Sequence, residues 1–284
     1  MRLIIISGRS GSGKTTALRA LEDAGYNCID NFPVVLLQSL VHDALRDPDQ
    51  QSANIAVCID ARSRALGRFA EILLPLDRLS IDCQVIYLDA QSPTLVKRFS
   101  ETRRRHPLTS ATIDLLQAIE AERELLESIA DLADLTLDTT LLRGHQLAEL
   151  ITARVIGGNR NGLSLLFRSF GFKFGVPVDA DLVFDLRCLP NPYWVPELNP
   201  LTGQDSAVIR FLDESPVASE MFGDLTGFLE RWLPRFENDQ RTYLTVAIGC
   251  TGGQHRSVYM VEKLAARFRG RFADVLVRHR ELGG

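Results

Sequence analysis

Through the first half of the chain, short, nearly unbroken apolar runs alternate with amphipathic stretches of helical period. The apolar runs fall near 3–7, 26–29, 54–60, 83–89 and 134–138; the helical stretches fall near 14–24, 33–46, 64–80, 92–104, 111–130 and 143–155. Strands buried on both faces read as continuous Val/Ile/Leu runs, so regular alternation with helices predicts a mostly parallel sheet covered by helices. The glycine- and asparagine-rich stretch from Ile156 to Gly162 interrupts the pattern and predicts a linker. Strand patterns resume at 163–168, 182–186, 244–248 and 273–278, with helical periodicity at 215–238 and 257–268. The expected organisation is an α/β domain over 1–155, a linker over 156–162 and a second, smaller α/β domain over 163–284.

At 284 residues, two cores are the better expectation than one. The composition, 45% hydrophobic and 24% charged with a net charge of −4, is that of an ordinary globular protein. Any nucleic-acid contact must then come from a local basic patch. Cys28, Cys58, Cys83, Cys188 and Cys250 are dispersed, with no Cys-x-x-Cys pair, which points to reduced thiols and away from a zinc site. No apolar run approaches membrane-spanning length, and the N-terminus enters a strand directly, so a cytoplasmic protein without membrane association is expected.

The most specific motif is Gly8-Arg9-Ser10-Gly11-Ser12-Gly13-Lys14-Thr15, placed between a strand run and a helical run. Its glycines let successive backbone N–H groups curl around a phosphate at a helix N-terminus. Lys14 is expected to reach the β/γ phosphates and the Thr15 hydroxyl to ligate Mg²⁺. With this loop after the first of five strands, the first domain resembles the P-loop kinase layout. Asp60, ending an apolar strand, is the expected second acid near Mg²⁺, and Arg62 and Arg64 follow it within reach of phosphate. Asp30 reads as a base or water-positioning group, or equally as a helix cap before Pro33. Arg98, Arg103, Arg104 and Arg105, with His106, read either as an arginine lid over phosphates or as a solvated helix face. Asp138, Thr139 and Thr140 end the fifth strand, where such folds often hold a base.

In the second domain, the strand Thr245–Ile248 leads into Gly249-Cys250-Thr251-Gly252-Gly253-Gln254-His255-Arg256-Ser257 and then a helix. This is a second phosphate cradle without the lysine, in which Arg256 can fork onto a phosphate and Thr251 or Ser257 can add a hydroxyl. Cys250 and Arg256 also carry the Cys-x5-Arg spacing of cysteine phosphatases, in which the thiolate attacks phosphorus. The loop Leu189–Trp194 lies at a strand's C-terminal end: either Tyr193 lines a pocket, or Tyr193 packs and Trp194 plugs a core edge. The basic C-terminal stretch, with Arg267, Arg269, Arg271, Arg278, His279 and Arg280 and with Phe268 and Phe272 interleaved, suits RNA phosphates and bases or a solvated face.

Taken together, the loop at 8–15, Gly25–Asn31, Asp60-Ala61-Arg62, Arg98–Pro107, Asp185–Pro192 and Gly249–Ser257 resemble the bacterial RapZ/YvcJ family of nucleotide-binding proteins, over essentially the whole chain. The resemblance implies a kinase-like N-terminal domain that binds ATP through Gly8, Arg9, Ser10, Gly11, Ser12, Gly13, Lys14 and Thr15. It implies a GTP contact at Asp60, Ala61, Arg62 and Ser63, with Lys14 and Asp60 supporting weak hydrolysis and Thr15 and Asp60 holding Mg²⁺. Enteric members are RNase adapters: they bind small regulatory RNA, present it to RNase E and sense glucosamine-6-phosphate. The resemblance places the phosphosugar pocket on Tyr193, Thr251, Gly252, Gly253 and Arg256, with Tyr193 standing where enteric members have histidine. It places RNA binding on the C-terminal segment, which ends here in Glu281-Leu282-Gly283-Gly284 where enteric members end in lysines, and it implies a homo-oligomer, up to a tetramer. A small-molecule P-loop kinase is the alternative reading of the first domain.

Overall fold

Leu3, Ile4, Ile5 and Ile6 have no solvent contact, and they form the centre of the first sheet. The computed structural model describes residues 1–46, 54–63, 65–76, 79, 81–102, 105–157, 162–239, 241–272 and 274–282. Arg64, Arg103, Arg104, linker residues 158–161 and Gly283–Gly284 lie outside them.

The central strand, β1 (Arg2–Gly8), is flanked by β3 (Asn54–Cys58) and β4 (Asp82–Asp89), with β2 (Asn27–Ile29) and β5 (Leu135–Asp138) at the edges. All four pairings are parallel, and Ile5 lies between Val57 and Val85. The helices of this unit are α1 (Lys14–Asp23), α2 (Leu37–Arg46), α3 (Phe69–Leu73), α4 (Ser92–Thr102), α5 (Leu115–Ala130) and α6 (Gly144–Ile151). One core joins Leu3 and Ile5 to Leu37 and Val41 of α2, Phe69 of α3, and Leu126 and Ile129 of α5. From β1 the chain builds β2 and β3 on one side and then crosses to β4 and β5 on the other. Such a switch opens a crevice at the C-terminal ends of the strands, where ligands bind in open α/β sheets.

The chain divides into two compact units, Met1–Gly157 and Gly158–Gly284. In the second, β6 (Ser164–Gly171), β7 (Leu182–Asp185), β8 (Tyr243–Cys250) and β9 (Asp274–His279) form a parallel sheet in the order β7-β8-β6-β9. Helices α7 (Ser206–Asp213), α8 (Pro216–Asn238) and α9 (Arg256–Phe268) accompany it. The core packs Phe167 of β6 with Leu225, Leu229 and Leu233 of α8 and Phe268 of α9. Both units are therefore α/β with parallel sheets, as the alternation of patterns predicts.

Several helices differ from the expectation. The stretch 33–46 begins as a 3₁₀ turn, Val34–Leu36, because Pro33 stays extended (φ −68°, ψ 121°). The described part of the stretch 64–80 holds a 3₁₀ turn, Leu66–Arg68, followed by the five residues of α3. Ala65 is left-handed there (φ 64°), and Pro75 has no N–H with which to continue the helix beyond Leu74. The stretch 143–155 ends as a π-helical turn, Thr152–Ile156. Helix α7 was not anticipated; Val208 and Leu212 are its buried stripe, too short to stand out in the sequence. Among the described residues, no helix is long and apolar enough to cross a membrane.

Phe167 is fully buried and its ring lies 5.9 Å from that of Phe268. Phe167→Ala should cost about 3–5 kcal/mol, read as a lower urea midpoint for this unit. An unchanged midpoint would show that the site collapses around the cavity.

Candidate anion-binding sites

The first site forms where β1 leaves the sheet. Gly8, Gly11 and Gly13 have φ of 141°, 86° and 106°, a region that L side chains avoid. At Gly8 a Cβ would also overlap the backbone of Leu88 on β4, so only glycine lets the chain turn there. The turn delivers a concave backbone to the N-terminus of α1, where N–H groups and the helix dipole favour an anion. Lys14 folds back over this loop, its Nζ donating to Gly8 O (2.6 Å) and Arg9 O (3.2 Å). Thr15 is exposed at the second position of α1.

The loop is braced from several sides. Arg9 turns away from the loop and is buried, donating to Asp89 (2.7 Å), Ser92 (3.0 Å) and Ala90 O. It can therefore meet a phosphate only through its backbone. Arg98 donates to Gly11 O (2.9 Å) and Thr139 Oγ1 (3.1 Å), and Thr139 Oγ1 donates to Ser12 O (2.8 Å). Arg98 is thus a prop beneath the loop. Arg105 folds onto Thr109, so these two arginines do not form an open lid.

The sequence reading missed Glu122. Its carboxylate, with no solvent contact, accepts from the N–H and hydroxyl of Ser10, both at 2.7 Å, and from His106 Nε2 at 3.0 Å. His106 Nδ1 accepts from the Leu108 N–H (3.1 Å), so the ring proton sits on Nε2, aimed at Glu122. Burial would raise the Glu122 carboxyl pKa. The hydrogen bonds from His106 and Ser10 and the charge of Lys14 outweigh it and hold the carboxyl below its ordinary range. An unbroken helical stripe hides such a residue; only its contacts single it out.

Asp60 lies at the end of β3, largely buried, and Arg62 forks onto it: its N–H donates at 3.0 Å and its Nε at 2.9 Å. That bond raises the Arg62 pKa further. Asp30 caps no helix; it accepts from its neighbour Asn31 and lies close enough to act on Arg62 and on the Cys58 thiol. Burial pushes that thiol up to about 12. Ala61 is buried, and the Ser63 hydroxyl accepts from Val34 N–H (3.0 Å), fixing the start of the next turn. A nucleotide fits the loop: three left-handed glycines, a lysine resting on carbonyls, and the buried Ser12 Oγ, which has no hydrogen-bond partner among the described residues. Thr15 and Asp60 would hold Mg²⁺ there once Arg62 gives way.

The second site gathers the C-terminal ends of all four strands of its sheet. Gly171, ending β6, packs so closely on the Gly252–Gly253 peptide that a Cβ would clash. Lys173 donates its N–H to Thr251 O (3.3 Å), and its Nζ lies beside Gly252. Arg256 opens α9 at 4% exposure; it donates to Arg187 O and Leu189 O (both 3.0 Å) and to Thr251 Oγ1 (3.3 Å). The guanidinium thus ties the loop after β7 to the cradle, and its Nε is buried without a partner among the described residues. Arg187 sits 4.0 Å from the Phe172 ring centre and pairs with Asp185, whose carboxyl pKa it lowers. Lys173 and Arg187 add positive charge that the sequence reading did not assign.

Cys250 Sγ is buried and lies 3.2 Å from both the Gly253 N–H and the Ser257 hydroxyl, as a hub inside the loop. Tyr193 is half exposed, but Trp194 is 77% exposed and plugs no core edge. Of the basic residues expected to meet RNA, Arg267, Arg269 and Arg271 are exposed, with Arg267 and Arg271 sharing Glu230. Arg278 lies within β9. His279 is held between Ser169 (2.9 Å) and Glu262 (3.1 Å), and Arg280 between Gly171 O and Glu281. Neither of these last two is free to track a phosphate backbone in this conformation.

Residues 1–160 match the RapZ-like N-terminal domain, and residues 163–283 match the RapZ C-terminal domain. The chain belongs to the RapZ family. A relative from Nitrosococcus oceani is 55% identical over 99% of this chain and 100% of its own length, and one from Pseudomonas putida is 53% identical over the same shares; both are called nucleotide-binding proteins. Among solved structures, shikimate kinase from Acinetobacter baumannii aligns over 56% of this chain and 96% of its own, at TM-score 0.37 and 18% identity. A sugar kinase from Janibacter aligns over 54% and 92%, also at TM-score 0.37.

Because the Glu122 carboxyl titrates lower in the folded chain, its stabilising contribution is complete above the unfolded glutamate value, near pH ~4.3, and is lost as pH falls through the folded value. Glu122→Gln should lower stability at neutral pH and flatten the acid limb of the stability profile. Parallel acid limbs in variant and wild type would remove this role.

Proposed function

We propose that this protein is a regulatory binding protein with two anion sites. The first takes a nucleoside triphosphate, ATP or GTP, with Mg²⁺ through Gly8–Thr15 and Asp60–Ser63. The second takes a phosphorylated amino sugar, glucosamine-6-phosphate, through Thr251, Gly252, Gly253 and Arg256, with Tyr193 at its rim. The observation that carries the reading is that each unit turns a parallel strand into a helix through a glycine loop with buried cations around it. The names of the relatives support nucleotide binding, and the family membership supports the sugar and RNA roles.

The N-terminal site is read as a sensor more than as an engine. Arg62 already neutralises Asp60, and Lys14 rests on loop carbonyls, so both must move before the metal and phosphate geometry of hydrolysis exists. Weak turnover follows. Small regulatory RNA is assigned to the exposed arginines Arg267, Arg269 and Arg271, with Arg278 beside them in sequence, and the RNA is presented to an endonuclease of the RNase E kind. A cytoplasmic homo-oligomer is the expected working form.

Lys14→Ala should abolish binding of a fluorescent ATP analogue and leave glucosamine-6-phosphate binding intact in calorimetry, while Arg256→Ala should do the reverse. Sugar binding that survives in the folded Arg256→Ala protein would overturn the second site. For RNA, the Arg267/Arg269/Arg271→Ala variant should bind more weakly at every sequence tested, and its salt slope should shrink by about one unit per lost phosphate contact. An unchanged slope would move RNA binding elsewhere on the chain.

A further inference from the structure

The chain's last described residues end on the second cradle. Where β9 stops, Arg280 donates its N–H to Ser169 O (3.1 Å) and its guanidinium to Gly171 O (3.0 Å) and Glu281 Oε1 (2.6 Å). The Glu281 side chain is only 8% exposed. Its second oxygen, Oε2, is buried with no hydrogen-bond partner among the described residues, and it is wedged against Gly253, where a Cβ would collide with it. Gly253 is left-handed (φ 75°) and lies midway along the loop that opens α9. The same loop holds a second orphan, the buried Nε of Arg256. Buried polar atoms left without partners carry a desolvation cost, so the cradle has an acceptor-seeking N–H on Arg256 and a carboxylate oxygen that gains hydrogen bonds once it reaches water.

We propose that Glu281 is a built-in competitor for this cradle. Its carboxylate is packed against Gly253 on one flank of the loop, and the ligand binds by displacing it. The inference rests on reading Gly249–Ser257 as a phosphate site. A phosphate carries more charge than a carboxylate and offers three acceptor oxygens, so it can meet loop N–H groups and the Arg256 guanidinium together. Displacement returns the Glu281 carboxylate to water and breaks its ion pair with Arg280. It also loosens the Arg280 hydrogen bonds to Ser169 O and Gly171 O. Ligand occupancy is thereby coupled to the charge and freedom of the C-terminal end of β9: an internally neutralised arginine becomes an open cation.

The test compares wild type, Glu281→Gln and Glu281→Ala by calorimetry with glucosamine-6-phosphate and with inorganic phosphate, and follows hydrogen exchange across 278–282. Both variants should bind roughly tenfold more tightly, the scale of one charged hydrogen bond. Saturating wild type with ligand should accelerate exchange at the Arg280 amide. If wild type binds and neither variant gains affinity, or if ligand protects the Arg280 amide, Glu281 is a structural partner of Arg280 and the competitor role falls while the sugar site stands. If neither wild type nor the variants bind either compound, the phosphate reading of the cradle falls, and the competitor role with it.

Discussion

At Gly8 the backbone of β1 comes so close to Leu88 on β4 that no side chain fits, and the φ of 141° there is one only glycine adopts with ease. Everything at the first site depends on that contact. It lets the central strand leave the sheet inside the crevice made by the switch in strand order, and so aims α1 at the open end of the sheet. The second unit solves the same problem with other glycines. Gly171 and Gly253 let the end of β6 pack directly on the loop after β8, and α9 then begins at Arg256. In each unit a close backbone approach is followed at once by a helix start, the arrangement that favours an anion at the N–H groups.

Around both loops the charged side chains are largely committed to the protein itself. Arg9, Arg98 and Glu122 grip the first loop, while Lys14 rests on its carbonyls and Arg62 forks onto Asp60. Arg256 ties the loop after β7 to the second cradle, and Arg280 and Glu281 close over its other flank. Such internal pairing keeps the cradles in shape without a ligand. It also means that binding exchanges one set of partners for another, and exchange of partners is how occupancy at a site is transmitted to the segments that supply them.

How much could be read from the sequence follows from the range of the interactions involved. The strands, their parallel pairing and both glycine loops were legible because a buried strand and a tight phosphate loop are local patterns. The breaks at Ala65 and Pro75, the short helix α7 and the exposure of Trp194 were not, since they depend on how neighbouring segments pack. The arginine-rich stretch at 98–105 read equally as a lid or as a solvated face because charge spacing alone does not say which way a side chain turns. The fold turns Arg98 inward against Gly11 O and Arg105 back on Thr109. Glu122 was invisible for the same reason: on a helical stripe it is one glutamate among several, and its role comes from Ser10, more than a hundred residues earlier in the chain.

By itself, the sequence determined two α/β units with parallel sheets and where each glycine loop joins a strand to a helix, because glycine spacing and apolar periodicity act over a few residues. Only the tertiary structure decided which charges are available. His279 and Arg280 belong to the basic stretch in sequence, yet the fold buries the first between Ser169 and Glu262 and pins the second to Gly171 and Glu281. Ion pairing and burial are set by three-dimensional neighbours, and those neighbours come from strands and helices far apart along the chain.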